Sequence, residues 1–258
     1  MKKIDPFLGV VLLSLTLSGC FLFESPSSKS SSREVYFIGV DISGSFVKSG
    51  YFNDAKAFLA HYLYSHLKGL GGLKDIHSLF VGPLGGKKLN EPKTFFPIES
   101  FSNRSLAEIQ QEIEHLFPEN KQNIYTDFNA FFEQVAEVVK DKNLSLRPIT
   151  IVMLTDGIPD IRGVKGDAIY RNVNLKPLEN LSRNVTLRVL YTSAITSKKW
   201  HGLVKRNRVK IWAQDNTVMH EWKDPHTFLP NVALEHQDRF FSWVKDNVDF
   251  PGRIQHVN

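Results

Sequence analysis

The chain runs to 258 residues with a net charge of +5, a pI near 9.1 and a single cysteine, Cys20. One cysteine excludes a disulfide-stapled scaffold, so the fold has to be held by its own apolar core. About 225 residues beyond a short N-terminal region are enough for one good-sized α/β domain.

The first residues are expected to lie outside that domain. Met1-Lys2-Lys3 is a short basic start, and Phe7 to Leu17 is an apolar stretch too short to span a bilayer comfortably but of the length of a signal-peptide core. It ends in Leu17-Ser18-Gly19-Cys20, which is similar to a bacterial lipobox, in which the cysteine is lipidated and becomes the new N-terminus. The serine-rich run from Glu24 to Ser32 cannot bury enough apolar surface to order itself and reads as a tether. The expected organisation is a lipoprotein signal peptide over 1–19, lipidated Cys20 with its tether over 20–33, a folded domain over 34–250 and a tail over 251–258. This places the chain in the cell envelope, held to the membrane by lipid on Cys20. Phe21, in place of an aspartate after the cysteine, points by the same resemblance to the outer membrane or cell surface rather than the inner membrane.

Within the domain, Val35 to Val40 is an apolar run expected to form a buried strand. Residues 52–68 carry apolar groups on one helical face and stop at Gly69 and Gly71-Gly72. His77 to Val81 reads as a short strand with Lys93 to Pro97 as its hairpin partner, and the glycine-rich 82–88 segment as the turn after it. Ser105-Leu106-Ala107-Glu108 is a capping box, followed by Ile109, Ile113 and Leu116 at helical spacing. Phe128, Phe131, Phe132, Val135, Val138 and Val139 predict a helix opening near Thr126. Strands are expected at Ile149–Leu154, Thr186–Tyr191 and Val209–Trp212, with a C-terminal helix around Phe240, Phe241, Val244 and Val248. The stretch from Ala213 to Pro230 fits no element by periodicity. Strands alternating with helices imply an open, mainly parallel α/β sheet with helices on both faces.

The chemistry sits at the ends of two of these strands. Asp41-Ile42-Ser43-Gly44-Ser45 follows the first, and Asp156-Gly157 follows the run ending in Leu154-Thr155; Thr126 opens the helical segment between them. Two carboxylates and three hydroxyls suit a small hard cation, which takes oxygen ligands in octahedral geometry. These residues resemble the von Willebrand factor type A (VWA) domain and its metal-ion-dependent adhesion site, whose pattern is Asp-x-Ser-x-Ser, a mid-domain Thr and a later Asp. The resemblance implies that Ser43 and Ser45 ligate Mg²⁺ or Mn²⁺ directly, that Thr126 does so in the ligand-bound form, and that Asp41 and Asp156 act through water. One coordination position then stays open for a carboxylate supplied by a protein partner. Asp127 and Asp160 flank the same face. Asp127 is expected to favour the helix start through its dipole, and Asp160 to shape a turn.

Other chemistries fit less well. A phosphatase of the haloacid-dehalogenase kind needs an acidic general acid two residues after its nucleophilic aspartate, and Ser43 stands there. The 82–88 segment lacks the Gly-Lys-Ser/Thr order of a phosphate loop, and no nucleophile elbow is present. His61 and His66, five apart, do not share a helical face as a zinc pair would. The expectation is a binding protein rather than an enzyme. An alternative is a metal-independent envelope scaffold, or a binder of anionic surfaces through the basic 198–210 stretch, where Lys198, Lys199, Lys205, Arg206, Arg208 and Lys210 surround Trp200 and Trp212. Export of the chain argues against nucleic acid as the partner.

Overall fold

The structure, a computed structural model, describes residues 32–74, 76–120 and 124–249. The signal peptide, Cys20, the tether up to residue 31 and the tail over 251–258 lie outside the described residues. Six strands form one sheet: β1 (Ser32–Asp41), β2 (Ile76–Leu84), β3 (Phe96–Pro97), β4 (Ile149–Leu154), β5 (Val185–Thr192) and β6 (Val209–Asp215). Their order across the sheet is β3-β2-β1-β4-β5-β6, all parallel except β3, which runs antiparallel to β2. The helices are α1 (Gly44–Val47), α2 (Phe52–Leu67), α3 (Leu106–Leu116), α4 (Phe128–Asp141), α5 (Ala168–Arg171), α6 (Lys176–Glu179), α7 (Ala194–Leu203), α8 (Asn216–His220) and α9 (Asp238–Asn247). The open, mainly parallel α/β sheet expected from periodicity is the fold.

Strand alternation divides the core in two. Tyr36, Ile38, Val40, Val152, Leu154 and Leu190 face α2, α3 and α9, against Phe58, Leu63, Ile113 and Phe240. Val35, Phe37, Ile151, Met153, Leu187 and Val189 face α4 and α7, against Phe131, Val135 and Trp200. Successive side chains point to opposite faces, so a strand covered on both sides must be apolar throughout. β4 is buried at every position for this reason.

Three boundaries differ from the sequence expectation. β1 begins at Ser32, two residues inside the expected tether, with Ser32 paired to Ile76. Gly82-Pro83-Leu84 is not a turn but the continuation of β2, where Val40 pairs with Pro83 and Asp41 with Leu84. Proline lacks a backbone donor, which a strand tolerates where no neighbour needs it; β3 reaches only Phe80 and Val81, so the outer edge at Pro83 faces no strand. The unassigned stretch from Ala213 extends β6 to Asp215, then forms α8 and a 3₁₀ turn over Glu221–Lys223.

The strand order fixes where a ligand can bind. From β1 the chain moves outward to β2, then crosses back to β4 on the other side of β1. The crevice at such a reversal, beyond the carboxyl ends of the two strands, is the ligand position of open α/β sheets. Asp41 ends β1, and Asp156 lies two residues past the end of β4.

Candidate metal centre

Asp41 is fully buried and tied from both sides. Its Oδ1 accepts a hydrogen bond from Ser43 N at 2.8 Å, and its Oδ2 accepts one from Thr155 Oγ1 at 2.6 Å. Thr155 Oγ1 in turn accepts from Gly157 N at 2.9 Å, so one hydroxyl joins the loop after β1 to the turn after β4. Ser43 caps α1, its Oγ accepting from Phe46 N at 3.4 Å. Ser43 Oγ and Ser45 Oγ lie 3.1 Å apart. Asp156 Oδ1 accepts from Ile158 N at 3.1 Å, and the nearby Ser45 hydroxyl favours the charged form of that carboxyl. Asp41, Ser43 and Ser45 are thus joined by hydrogen bonds, and Thr155 links them to the turn that carries Asp156.

Thr126 reaches the same edge by a different route. Its backbone is clamped by Asp160: Thr126 N donates to Asp160 Oδ2 at 2.9 Å, and Asp160 N donates to Thr126 O at 3.0 Å. On the other side, Gly86 and Tyr125 exchange two backbone hydrogen bonds at 3.0 and 3.1 Å. Gly85 makes that approach possible. Its φ is +75°, and a Cβ there would stand 1.9 Å from the Tyr125 carbonyl oxygen. Since Gly85 follows Leu84, the register partner of Asp41, the Thr126 loop lies against the end of β2, the neighbour of β1.

The electrostatics match this enclosure. Burial, reinforced by the nearby Asp156 carboxylate, pushes Asp41 up to about 7 despite the hydrogen bonds from Thr155 and Ser43. Burial also raises Asp156, with Asp160 adding to the effect, while Ile158 N and Ser45 oppose it. Carboxylates held in mutual repulsion by a fixed frame are what a dication neutralises.

The residues fit a small hard cation on donor type, spacing and access. Among the described residues no group of three or more His, Cys, Asp and Glu side chains gathers as a metal site, so a cation here would rely on hydroxyls as well as carboxylates. At Mg–O distances of about 2.1 Å, neighbouring octahedral ligands lie about 3.0 Å apart, and the two serine hydroxyls are at 3.1 Å. Asp41, Ser43 and Thr126 are buried, Asp156 is half-buried and Ser45 is exposed, so the group has a closed floor and an open mouth.

Several neighbours do more than the sequence indicated. Thr155 and Asp160 hold the site together, and neither is among the five expected site residues. Asp127 acts as a hydrogen-bonding N-cap rather than through the helix dipole alone, its Oδ1 accepting from Ala130 N at 3.0 Å and its Oδ2 from Asn90 N at 2.9 Å. Trp200, expected within a basic surface stretch, is fully buried and donates from Nε1 to Gly157 O at 2.8 Å. It supports the Asp156 turn from beneath. Lys199 pairs with Asp167 at 3.0 Å, and Arg206 donates to the His201 and Val204 carbonyls, so the basic stretch is neither wholly free nor flanked by two surface tryptophans.

No family model and no curated protein matches the chain. Solved structures similar to it include a von Willebrand factor type A protein from Catenulispora acidiphila, 15% identical over 74% of this chain and 41% of that one, with a TM-score of 0.47. The manganese-loaded TRAP protein of Plasmodium vivax is 14% identical over 72% of this chain and 70% of that one, TM-score 0.47. The pilus adhesin SpaC of Lactobacillus rhamnosus GG is 10% identical over 83% of this chain and 30% of that one, TM-score 0.45. The chain thus spans less than half of the first of these proteins. The superpositions are loose.

Proposed function

We propose that this chain is a VWA-type binding domain that holds Mg²⁺ or Mn²⁺ at the carboxyl ends of β1 and β4 and engages a protein partner through a partner carboxylate. The observation that supports it is the grouping of Asp41, Ser43, Ser45 and the Asp156 turn at the switch point of the sheet, with the two serine hydroxyls 3.1 Å apart and the Thr126 backbone clamped to Asp160 alongside. A cation bound there supplies a Lewis-acidic point for an incoming carboxylate oxygen. Ser43 and Ser45 present neutral hydroxyls to it, which leaves much of its charge for the partner. Asp41 already accepts hydrogen bonds on both oxygens, so it suits an outer, charge-balancing place. Asp156, half-buried at the mouth, supplies a second carboxylate near Ser45. The role is binding rather than turnover, and the proposed setting is the cell envelope, with lipid on Cys20 as the membrane anchor.

Calorimetric titration of Mg²⁺ and Mn²⁺ into the full chain tests the site. Saturable binding that is lost in Asp156→Ala is the expected result. Asp156 is the better choice for truncation than Asp41, because removing the Asp41 carboxylate would also strand the donors of Ser43 and Thr155. Equal cation affinity in the two proteins would sink the reading. Labelling of wild type but not Cys20→Ala by a palmitate analogue in bacterial cells tests the anchor.

A further inference from the structure

The rim of the site is apolar. The described residues expose five large hydrophobic side chains: Ile124 (70%), Tyr125 (36%), Leu146 (83%), Ile158 (45%) and Ile195 (69%). Four of them border the proposed centre. Ile124 and Tyr125 immediately precede Thr126. Ile158 follows Asp156-Gly157, and the double hydrogen bond between Thr126 and Asp160 sets these two segments side by side. Ile195 lies in the first turn of α7, and that turn packs on the Asp156 loop: a Cβ at Gly157 would stand 3.0 Å from Thr196 Cγ2. Only Leu146 lies elsewhere, ahead of the amino end of β4 at the opposite edge of the sheet. Isolated exposed hydrophobics are ordinary, but their concentration around one polar opening marks an interaction surface.

The charge around the rim selects the partner further. Arg162 and Lys165 are exposed in the loop beyond Asp160, and Lys198 is exposed one turn along α7 from Ile195. Asp160, the nearest exposed acid, has a carboxylate oxygen engaged by Thr126 N.

We infer that the partner presents an acidic residue flanked by large apolar side chains, the carboxylate entering the centre while the apolar flanks settle on Ile124, Tyr125, Ile158 and Ile195. This rests on the proposed metal-dependent function and specifies the sequence class that function would recognise. The polar opening alone would accept any carboxylate. The apolar rim adds discrimination through burial, and burying one or two leucine-sized side chains partway is worth about a tenfold gain in affinity.

Capped tripeptides serve as probes: Leu-Asp-Leu, Gly-Asp-Gly and Leu-Asn-Leu, titrated by calorimetry into the full chain with Mn²⁺ or with chelator. Mn²⁺ titrated alone is the separate readout for the centre itself. The expected result is Mn²⁺-dependent binding of Leu-Asp-Leu about tenfold tighter than Gly-Asp-Gly, with no binding of Leu-Asn-Leu. Ile195→Ser and Ile124→Ser should each narrow the gap between the two aspartate peptides, while Leu146→Ser should leave it intact. Equal affinity for the two aspartate peptides, with Mn²⁺ bound, overturns the rim and leaves the centre standing. Binding of Leu-Asp-Leu that persists in chelator, or that Leu-Asn-Leu reproduces, also overturns it, because the surface would then act apart from the cation. Absence of Mn²⁺ binding in the metal-only titration overturns the centre and the rim together.

Discussion

At the scale of single residues, Thr155 carries more of the site than its place in the sequence suggests. It donates to Asp41 and accepts from Gly157 with one oxygen, in a position of no solvent exposure. Thr155→Val keeps the shape and removes both interactions, leaving a buried carboxylate oxygen and a buried amide without that partner. Stranding such groups costs about 1–3 kcal/mol each. Denaturant unfolding should therefore show Thr155→Val less stable by about 2 kcal/mol or more, with Thr155→Ser close to wild type. An unchanged midpoint in the valine variant would mean that the two loops are held by something else. The five candidate site residues were legible because a spaced pattern of carboxylate and hydroxyl groups follows apolar runs. Thr155 was not, since a threonine just past a strand end is ordinary and its bonding depends on which strand lies alongside. Asp160 was hidden for the same reason: its partner, Thr126, is 34 residues away.

At the scale of elements, periodicity found those helices whose apolar face is long enough to repeat. α2 and α4, with 16 and 14 residues, are of this kind. It failed between Ala213 and Pro230, and the structure shows why. Beyond β6 the segment is a five-residue helix and a 3₁₀ turn, too short for a pattern, and polar contacts from α2 help to hold it. Asp54, buried on α2, accepts from Tyr191 OH at 2.9 Å and from Trp222 Nε1 at 3.2 Å, and it pairs with Lys223 Nζ at 2.6 Å. Tyr191 sits at φ +75° at the end of β5, and its ring meets Phe46 of α1 at 6.2 Å. Positive φ is costly for a tyrosine, so neighbouring contacts must hold it. Asp54→Ala should lower stability by about 1–3 kcal/mol, the partners' remaining access to water limiting the loss. It should also raise hydrogen exchange in 216–223 well above that in α4. Uniform exchange across both segments would count against a local clamp.

A second buried carboxylate ties the end of α9 to α2 and makes that contact sensitive to acid. Asp249 accepts from Tyr62 OH and pairs with His66 Nε2, both at 2.8 Å. Burial alone would push this carboxyl up, but His66 and the Arg188 guanidinium outweigh it and hold Asp249 below the ordinary carboxylate range. A depressed folded-state value means that the unfolded chain takes up the proton first. The stabilisation is thus complete above the unfolded value and is lost as pH falls through the folded one. Unfolding free energies followed from pH 7 downward should decline more steeply in wild type than in Asp249→Asn, with the two curves converging at the acid end. Parallel curves would show that Asp249 does not titrate as this geometry requires.

At the scale of the whole molecule, the sheet order assembles the centre from distant parts of the chain. Asp41 and Asp156 are separated by 114 residues of intervening chain in sequence, yet β1 and β4 are adjacent, and Leu154 pairs with Val40. That adjacency could not be read from periodicity, which identifies strands without ordering them. The family resemblance grouped the two residues in one site without giving the strand order, which the sheet itself supplies. Assembly from separate segments has a thermodynamic consequence. The unfolded chain scatters the donors, so a cation that binds the folded state alone must stabilise it by linkage. At a hundredfold excess over its dissociation constant the gain is about 2.7 kcal/mol, and for a domain of this size each kcal/mol moves the melting temperature by about 2–4 °C. Mg²⁺ or Mn²⁺ at saturating concentration should therefore raise the melting temperature by several degrees in wild type and not in Asp156→Ala. Ca²⁺ should raise it less, because two adjacent hydroxyls 3.1 Å apart suit the shorter bonds of the smaller ions. An equal rise in the variant would place the cation elsewhere on the molecule, and a larger rise with Ca²⁺ would assign the centre to a different metal.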